Sequence, residues 1–128
     1  MSERQLISSG TPWEPVVGYS RAVRIGNLIE VSGTTAMDGD RLIGQNNIYE
    51  QTRFILQKVS QVLEEAGASL QNVVRTRMYV TDISQWQEVG RAHGEVFNDI
   101  RPATSMVEVS ALIHPDLLVE IEITAVVN

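Results

Sequence analysis

Glu108, Glu120 and Glu122 are the residues whose type and spacing first suggest chemistry. Carboxylates on neighbouring strands can sit close enough that one keeps its proton to unusually high pH, and such a group can take a proton from water and return it. Arg75 and Arg77 supply a competing reading, a cross-strand ladder of ion pairs, and spacing alone favours the ladder. His93 falls on the apolar stripe of a predicted helix, where a packing histidine is the commoner role, and His114 belongs to the turn His114-Pro115-Asp116. The two histidines make neither an HxH nor an HxxxH pattern and cysteine is absent, so no metal site is expected and thiolate nucleophiles are excluded. Gly18-Tyr19-Ser20 offers a phenol on a loop, and Ser32-Gly33 offers backbone groups at a strand end. Gly90 and Gly94, one helical turn apart, would let a ligand or a packed backbone come close, with helix-on-sheet packing favoured. No phosphate loop, dinucleotide fingerprint or nucleophile elbow occurs.

The elements that must position these groups follow from periodicity. Ala22 to Ile25 and Leu28 to Ser32 flank Gly26-Asn27 and read as a hairpin, after which Thr34 to Gln45 reads as a polar loop. Asn47 and Glu50 form a capping signal, and Ile48, Thr52, Ile55, Leu56, Val59, Val62, Leu63 and Ala66 keep helical spacing until Gly67. Val73 to Val80 alternates, with Val74, Thr76, Met78 and Val80 on one face and Val73, Arg75, Arg77 and Tyr79 on the other. Ser84 with Gln87 predicts the cap of a second helix that runs to Arg101-Pro102. Two further alternating runs, Thr104 to Val109 and Leu118 to Ala125, read as a closing hairpin. The expected fold is α+β, a mostly antiparallel or mixed sheet with two helices on one face. The other face would carry Thr104, Met106, Glu108, Glu120, Glu122, Arg75, Arg77 and Tyr79, a mixture suited to a subunit interface.

Composition narrows the function classes. The 128 residues show no linker or repeat, so one domain over residues 1–128 is the simplest organisation. The start Met1-Ser2-Glu3-Arg4-Gln5 has no apolar leader pattern and no run is long enough to span a bilayer, which predicts a cytoplasmic protein without a membrane. A formal net charge of −6 disfavours nucleic acid as a partner.

Several of these segments together resemble the Rid family of reactive-intermediate deaminases, also called the YjgF family. The carriers are Gly18 to Val23, Gly26 to Ile29 with Val31-Ser32-Gly33, Leu63 to Gly67, Val74 to Asp82, Arg101 to Val109, and Val119 to Glu122. The resemblance implies a chorismate-mutase-like α+β fold, a homotrimer whose sheets form an inner barrel, and small-molecule clefts between subunits. It implies no cofactor. The reaction it implies is hydrolytic: water attacks the C=N carbon of an imine or enamine acid and releases ammonia, which makes an enzyme of this kind a hydrolase-type deaminase acting on C–N bonds. By position it assigns Tyr19 and Glu120 as catalytic, and Gly33, Thr104, Met106 and Gly90 as substrate-binding. Thr104 stands where the family has an arginine, and threonine cannot make a bidentate charged grip on a carboxylate. The chain is thereby similar to an arginine-lacking branch, with Arg77 or Arg101 as the replacement cation and a non-standard imine or enamine as substrate. The alternative is a non-catalytic protein that binds or senses a small metabolite in the same cleft, and endoribonuclease activity ranks last.

Overall fold

The computed structural model describes residues 3–128. In chain order the elements are β1 (Arg4–Ile7), α1 (Trp13–Val17), β2 (Ala22–Ile25), β3 (Leu28–Thr34), β4 (Met37–Asp38), β5 (Arg41–Leu42), α2 (Ile48–Glu65), β6 (Val73–Val80), α3 (Trp86–Phe97), β7 (Ala103–Glu108) and β8 (Val119–Val126). Six strands form one mixed sheet in the order β1-β2-β3-β8-β6-β7, and β4 with β5 forms a small separate ribbon inside the stretch read as a loop. Gly26 turns the β2–β3 hairpin with a φ of 59°. The α2 helix begins where Asn47 accepts a hydrogen bond from the Glu50 N–H at 3.1 Å, and Gly67, with a φ of 83°, follows its end.

Val119, Ile121, Ile123 and Ala125 project from the central strand β8 into a core shared with Ile55, Leu56, Val59 and Leu63 of α2 and Val89 and Phe97 of α3. Each fully buried Val, Leu, Ile or Phe side chain contributes roughly 1.5–3 kcal/mol over its exposed state. The helices cover one face only. The opposite face presents Glu30, Glu120, Glu122, Arg75, Arg77 and Tyr79, none of which is buried.

Four sequence expectations need correction here. The last two strands are not a hairpin: β7 runs parallel to β6 at the sheet edge, and β8 inserts between β3 and β6. A strand, a twelve-residue helix and a strand form a crossover unit that favours parallel pairing, and this outweighs closeness in sequence. Parallel register pairs Thr104 with Thr76, Met106 with Met78 and Glu108 with Val80, so these three lie on the helix-covered face, not the open one. Val74 is exposed and Val73 buried, because the register shifts between Val73 and Arg75 and a bulge resets the alternation. At α3, Asp82 rather than Ser84 caps the preceding 3-10 turn, accepting from the Ser84 N–H at 3.0 Å, and the α-helix starts at Trp86.

Candidate functional site

Two clusters form on different parts of the chain. The first lies where β3 ends against β8. Glu120 stands on the open face, half-buried, and its carboxylate rests directly on Gly33: a Cβ at that position would overlap Glu120 Oε2. Burial pushes the Glu120 carboxyl upward, the Glu122 charge pushes it further, and Arg21 partly offsets both. Arg21 is 8 % exposed, and its Nη2 donates to the Gly33 carbonyl at 2.6 Å. Tyr19 leaves α1 through the left-handed Gly18, and the Arg21 guanidinium carbon lies 5.8 Å from the centre of its ring. Tyr19 also borders a shallow groove of about 530 Å³ with Leu6, Glu14, Val23 and Ser32. Glu120 does not line that groove.

The second cluster lies at the β7 edge. The Thr104 hydroxyl meets that of the fully buried Thr76 at 2.7 Å, and Thr76 meets His93 Nε2 at 3.0 Å. The Thr104 hydroxyl also reaches the Pro102 carbonyl at 3.2 Å. Met106 packs partly buried against the core on the same face. Gly90 lies one turn before His93, and a Cβ there or at Gly94 would meet nothing within 4 Å. Close packing therefore does not account for either glycine, contrary to the packing reading. Two strand spacings of about 4.8 Å, plus opposite faces of the sheet, separate Thr104 from Glu120. One chain does not bring the two clusters together.

His93 has the expected packing role, with its ring 4.6 Å from that of Phe97, and burial pushes its pKa below the ordinary 6.5. The folded state then holds this proton less tightly than the unfolded chain. The stability His93 contributes is complete above 6.5 and is lost as pH falls from there through the folded value. Urea midpoints compared at about pH 8 and about pH 5.5 should drop less for His93→Gln than for the natural sequence. An equal drop in both would remove His93 as the cause.

The remaining candidates are accounted for singly. Glu108 accepts from the Ile83 N–H at 3.0 Å on the helix side, apart from Glu120 and Glu122. The ion ladder does not form: among the described residues the ion pairs join Arg91 to Glu88 and Glu95 on α3. Arg75 donates to Ser105 at 2.6 Å. Arg77 pairs in register with Glu122, while Tyr79, which lies opposite Glu120, donates to Glu122 at 2.7 Å. Arg101 sits in a left-handed conformation with Nε on the Asn98 carbonyl at 3.0 Å, closing the helix exit. His114 Nδ1 accepts from the Asp116 N–H within its turn.

Sequence reasoning missed Arg21 and Gln51 as organising residues. Arg21 stood inside the Tyr19 motif, and its place directly before the apolar β2 was the available signal. It also missed Glu14, whose buried carboxylate accepts from Ser9 and Thr11. Burial raises the Glu14 pKa, but bonds from Ser9, Ser8 and Thr11 outweigh it and leave the group below its ordinary range. Those bonds hold the turn that launches α1 and hence Tyr19. No three His, Asp or Glu side chains converge as metal ligands among the described residues.

Comparison with known proteins places this geometry in context. The family model described as Endoribonuclease L-PSP matches residues 10–127. A crystal structure of a YjgF/YER057c/UK114 family member from Mycobacterium tuberculosis superposes with a TM-score of 0.90 at 54% identity, covering 98% of this chain and 100% of that one. An uncharacterised protein of Streptomyces coelicolor is 38% identical over 93% of this chain and 89% of its own length. The 3-aminoacrylate deaminase RutC of Acinetobacter baylyi is 30% identical over 94% and 95%.

Proposed function

We propose, because the chain belongs to the endoribonuclease L-PSP family, the family also called YjgF or Rid, that it hydrolyses a small imine or enamine in clefts between the subunits of a homotrimer. Each cleft would join the Glu120 cluster of one subunit to the Thr104 cluster of the next. The observation that carries this reading is the Glu120 carboxylate, seated on Gly33 and with its pKa pushed upward by burial and by Glu122, which makes it a stronger proton acceptor than an ordinary carboxylate. Kinship with a relative named as a 3-aminoacrylate deaminase supports the reaction type.

In the proposed chemistry the enamine first tautomerises to the imine. Glu120 takes a proton from water as the water oxygen bonds to the C=N carbon and the π electrons move to nitrogen. The proton then passes to that nitrogen to give a carbinolamine, whose hydroxyl proton is relayed to the nitrogen as the C=O bond forms and the C–N bond breaks, so that the carbonyl compound and ammonia leave. Atoms balance with water alone. Tyr19 would orient the substrate, Gly33 would contribute backbone groups beside the reacting carbon, and Thr104, Met106 and Gly90 would shape the opposite wall.

Thr104 favours a second reading, a non-catalytic metabolite-binding protein. Its hydroxyl is engaged with Thr76 and Pro102, and the nearest ionisable partner in that network is His93, kept neutral by burial. RNA cleavage fits less well with a chain of net charge −6. One experiment separates the two main readings. Imines made in situ by an amino-acid oxidase should release keto acid faster with the protein than in buffer, and light scattering should return about three times the 14.2 kDa chain mass. A buffer rate would select the binding reading. A mass of 14.2 kDa would remove the shared cleft.

A further inference from the structure

We propose that Arg21 is the cation that grips a ligand's carboxylate in this site, at the strand end beside Gly33 and away from Thr104. The inference rests on the reading of Glu120 and Gly33 as lining a ligand cleft, and it adds a residue and a charge to that reading.

Arg21 carries a full charge at 8 % exposure with few protein partners. One of its five N–H groups donates to the Gly33 carbonyl, and Nε is a buried side-chain polar atom with no partner. No carboxylate lies within ion-pair distance of it among the described residues, where ion pairs are confined to α3. A buried charge without a counter-ion is costly, so a fold that keeps one leaves a place for an anion. The Nη1 end of the guanidinium makes no hydrogen bond with described residues and is the edge left for a carboxylate.

The surroundings favour an anion as well. Lys58 donates from Nζ to the Met37 carbonyl at 2.7 Å, and its charge feels Arg21, so a second cation stands near the first. Two other candidate cations are engaged elsewhere, Arg75 on Ser105 and Arg101 on Asn98, and Arg77 stands on β6, two strands away from Gly33 on β3. Glu120 approaches the same glycine without pairing with Arg21, because the Gly33 carbonyl fixes the guanidinium. A cation and a proton-accepting carboxylate thus flank one glycine, near enough that Arg21 partly offsets the Glu120 shift but without a direct ion pair between them. That arrangement suits an acid whose reacting carbon adjoins its carboxylate, as in a 2-imino acid: the charge is held at one end and the base stands at the next atom.

The test titrates the full-length protein with 2-oxobutanoate and with its uncharged amide, following the ligand resonances by saturation transfer. The acid should bind more tightly than the amide. Arg21→Gln should weaken the acid about ten- to a hundredfold while leaving the amide unchanged, since a charge-assisted pair is lost and nothing else. Arg21→Lys should retain part of the affinity, and Arg53→Gln on the exposed side of α2 should retain all of it. Acid binding that survives Arg21→Gln, or acid and amide binding equally to the natural sequence, overturns the proposal. So does a parallel loss of both ligands together with a fall in oligomer mass, which would make Arg21 a structural residue. Imine turnover keeps the two ideas apart. Acid held through Arg21 without turnover sinks the hydrolase reading alone, whereas turnover with unchanged KM in Arg21→Gln sinks the Arg21 assignment alone.

Discussion

Glu120→Gln is expected to lower kcat/KM for imine hydrolysis about 10²- to 10⁴-fold, the range associated with removing a positioned general base. Glutamine keeps the shape that rests on Gly33 and loses only the ability to take a proton from water. Stability should move the other way or not at all. The folded-state pKa of Glu120 is raised, first by burial and then by Glu122, so its contribution to stability is full below the ordinary 4.5 and is lost as pH rises through the folded value. Near neutral pH the half-buried carboxylate is a burden that the amide removes. A variant that is inactive yet at least as stable as its parent therefore separates catalysis from structure. The pH profile gives a second reading. Activity should climb as pH rises through the Glu120 value, and Glu122→Gln, which removes a repelling charge, should shift that acidic limb to lower pH. Turnover of Glu120→Gln within about tenfold of the parent would show that another group accepts the proton.

Much of the fold could be read from the residues because each strong signal reports one local cause. The Asn47 cap, the α2 stripe and Gly67 all depend on neighbours within a turn, and the structure keeps them. What the sequence hid was long-range pairing. The alternation of β7 states that one face differs from the other, but not which face meets the helices; that depends on its parallel register with β6. The bulge at Val73 to Arg75 is likewise invisible to a count of two. The ladder of Arg75 and Arg77 with the glutamates failed for a related reason: the arginines do lie on the carboxylate face, yet Ser105 and Tyr79 offer competing partners that only the sheet order reveals. Glu120 and Gly33 were readable as a pair through the family resemblance, and the structure brings them into contact. The cation was not. Arg77 and Arg101 neighbour the site in register or sequence, whereas Arg21 reaches Gly33 through the β2–β3 pairing, which no local pattern reports.

Gln51→Met should destabilise the fold by about 3 kcal/mol, because it removes one side chain and strands three backbone groups. Gln51 is 0 % exposed on the buried stripe of α2, a polar residue among Ile48, Thr52 and Ile55. Its Nε2 donates to the Gly44 carbonyl at 3.1 Å and to the Asp116 carbonyl at 3.0 Å, and its Oε1 accepts from the Leu118 N–H at 2.8 Å. The amide thus ties the turn before α2 and the loop before β8 to one point on the helix. Methionine has similar length and fills the space, so a cavity contributes little, and the loss reports on the hydrogen bonds. For a domain of this size the expected fall in Tm is about 10 °C. The effect should extend to the site. Leu118 lies two residues before Glu120, and the Gln51 bond fixes where β8 begins; a looser start lets the carboxylate leave Gly33. Val59→Ala offers the contrast, since it also weakens the core but touches neither loop. At matched stability, kcat/KM should fall further in Gln51→Met than in Val59→Ala. Equal losses would mean that Gln51 acts on the fold as a whole and not on the placement of Glu120.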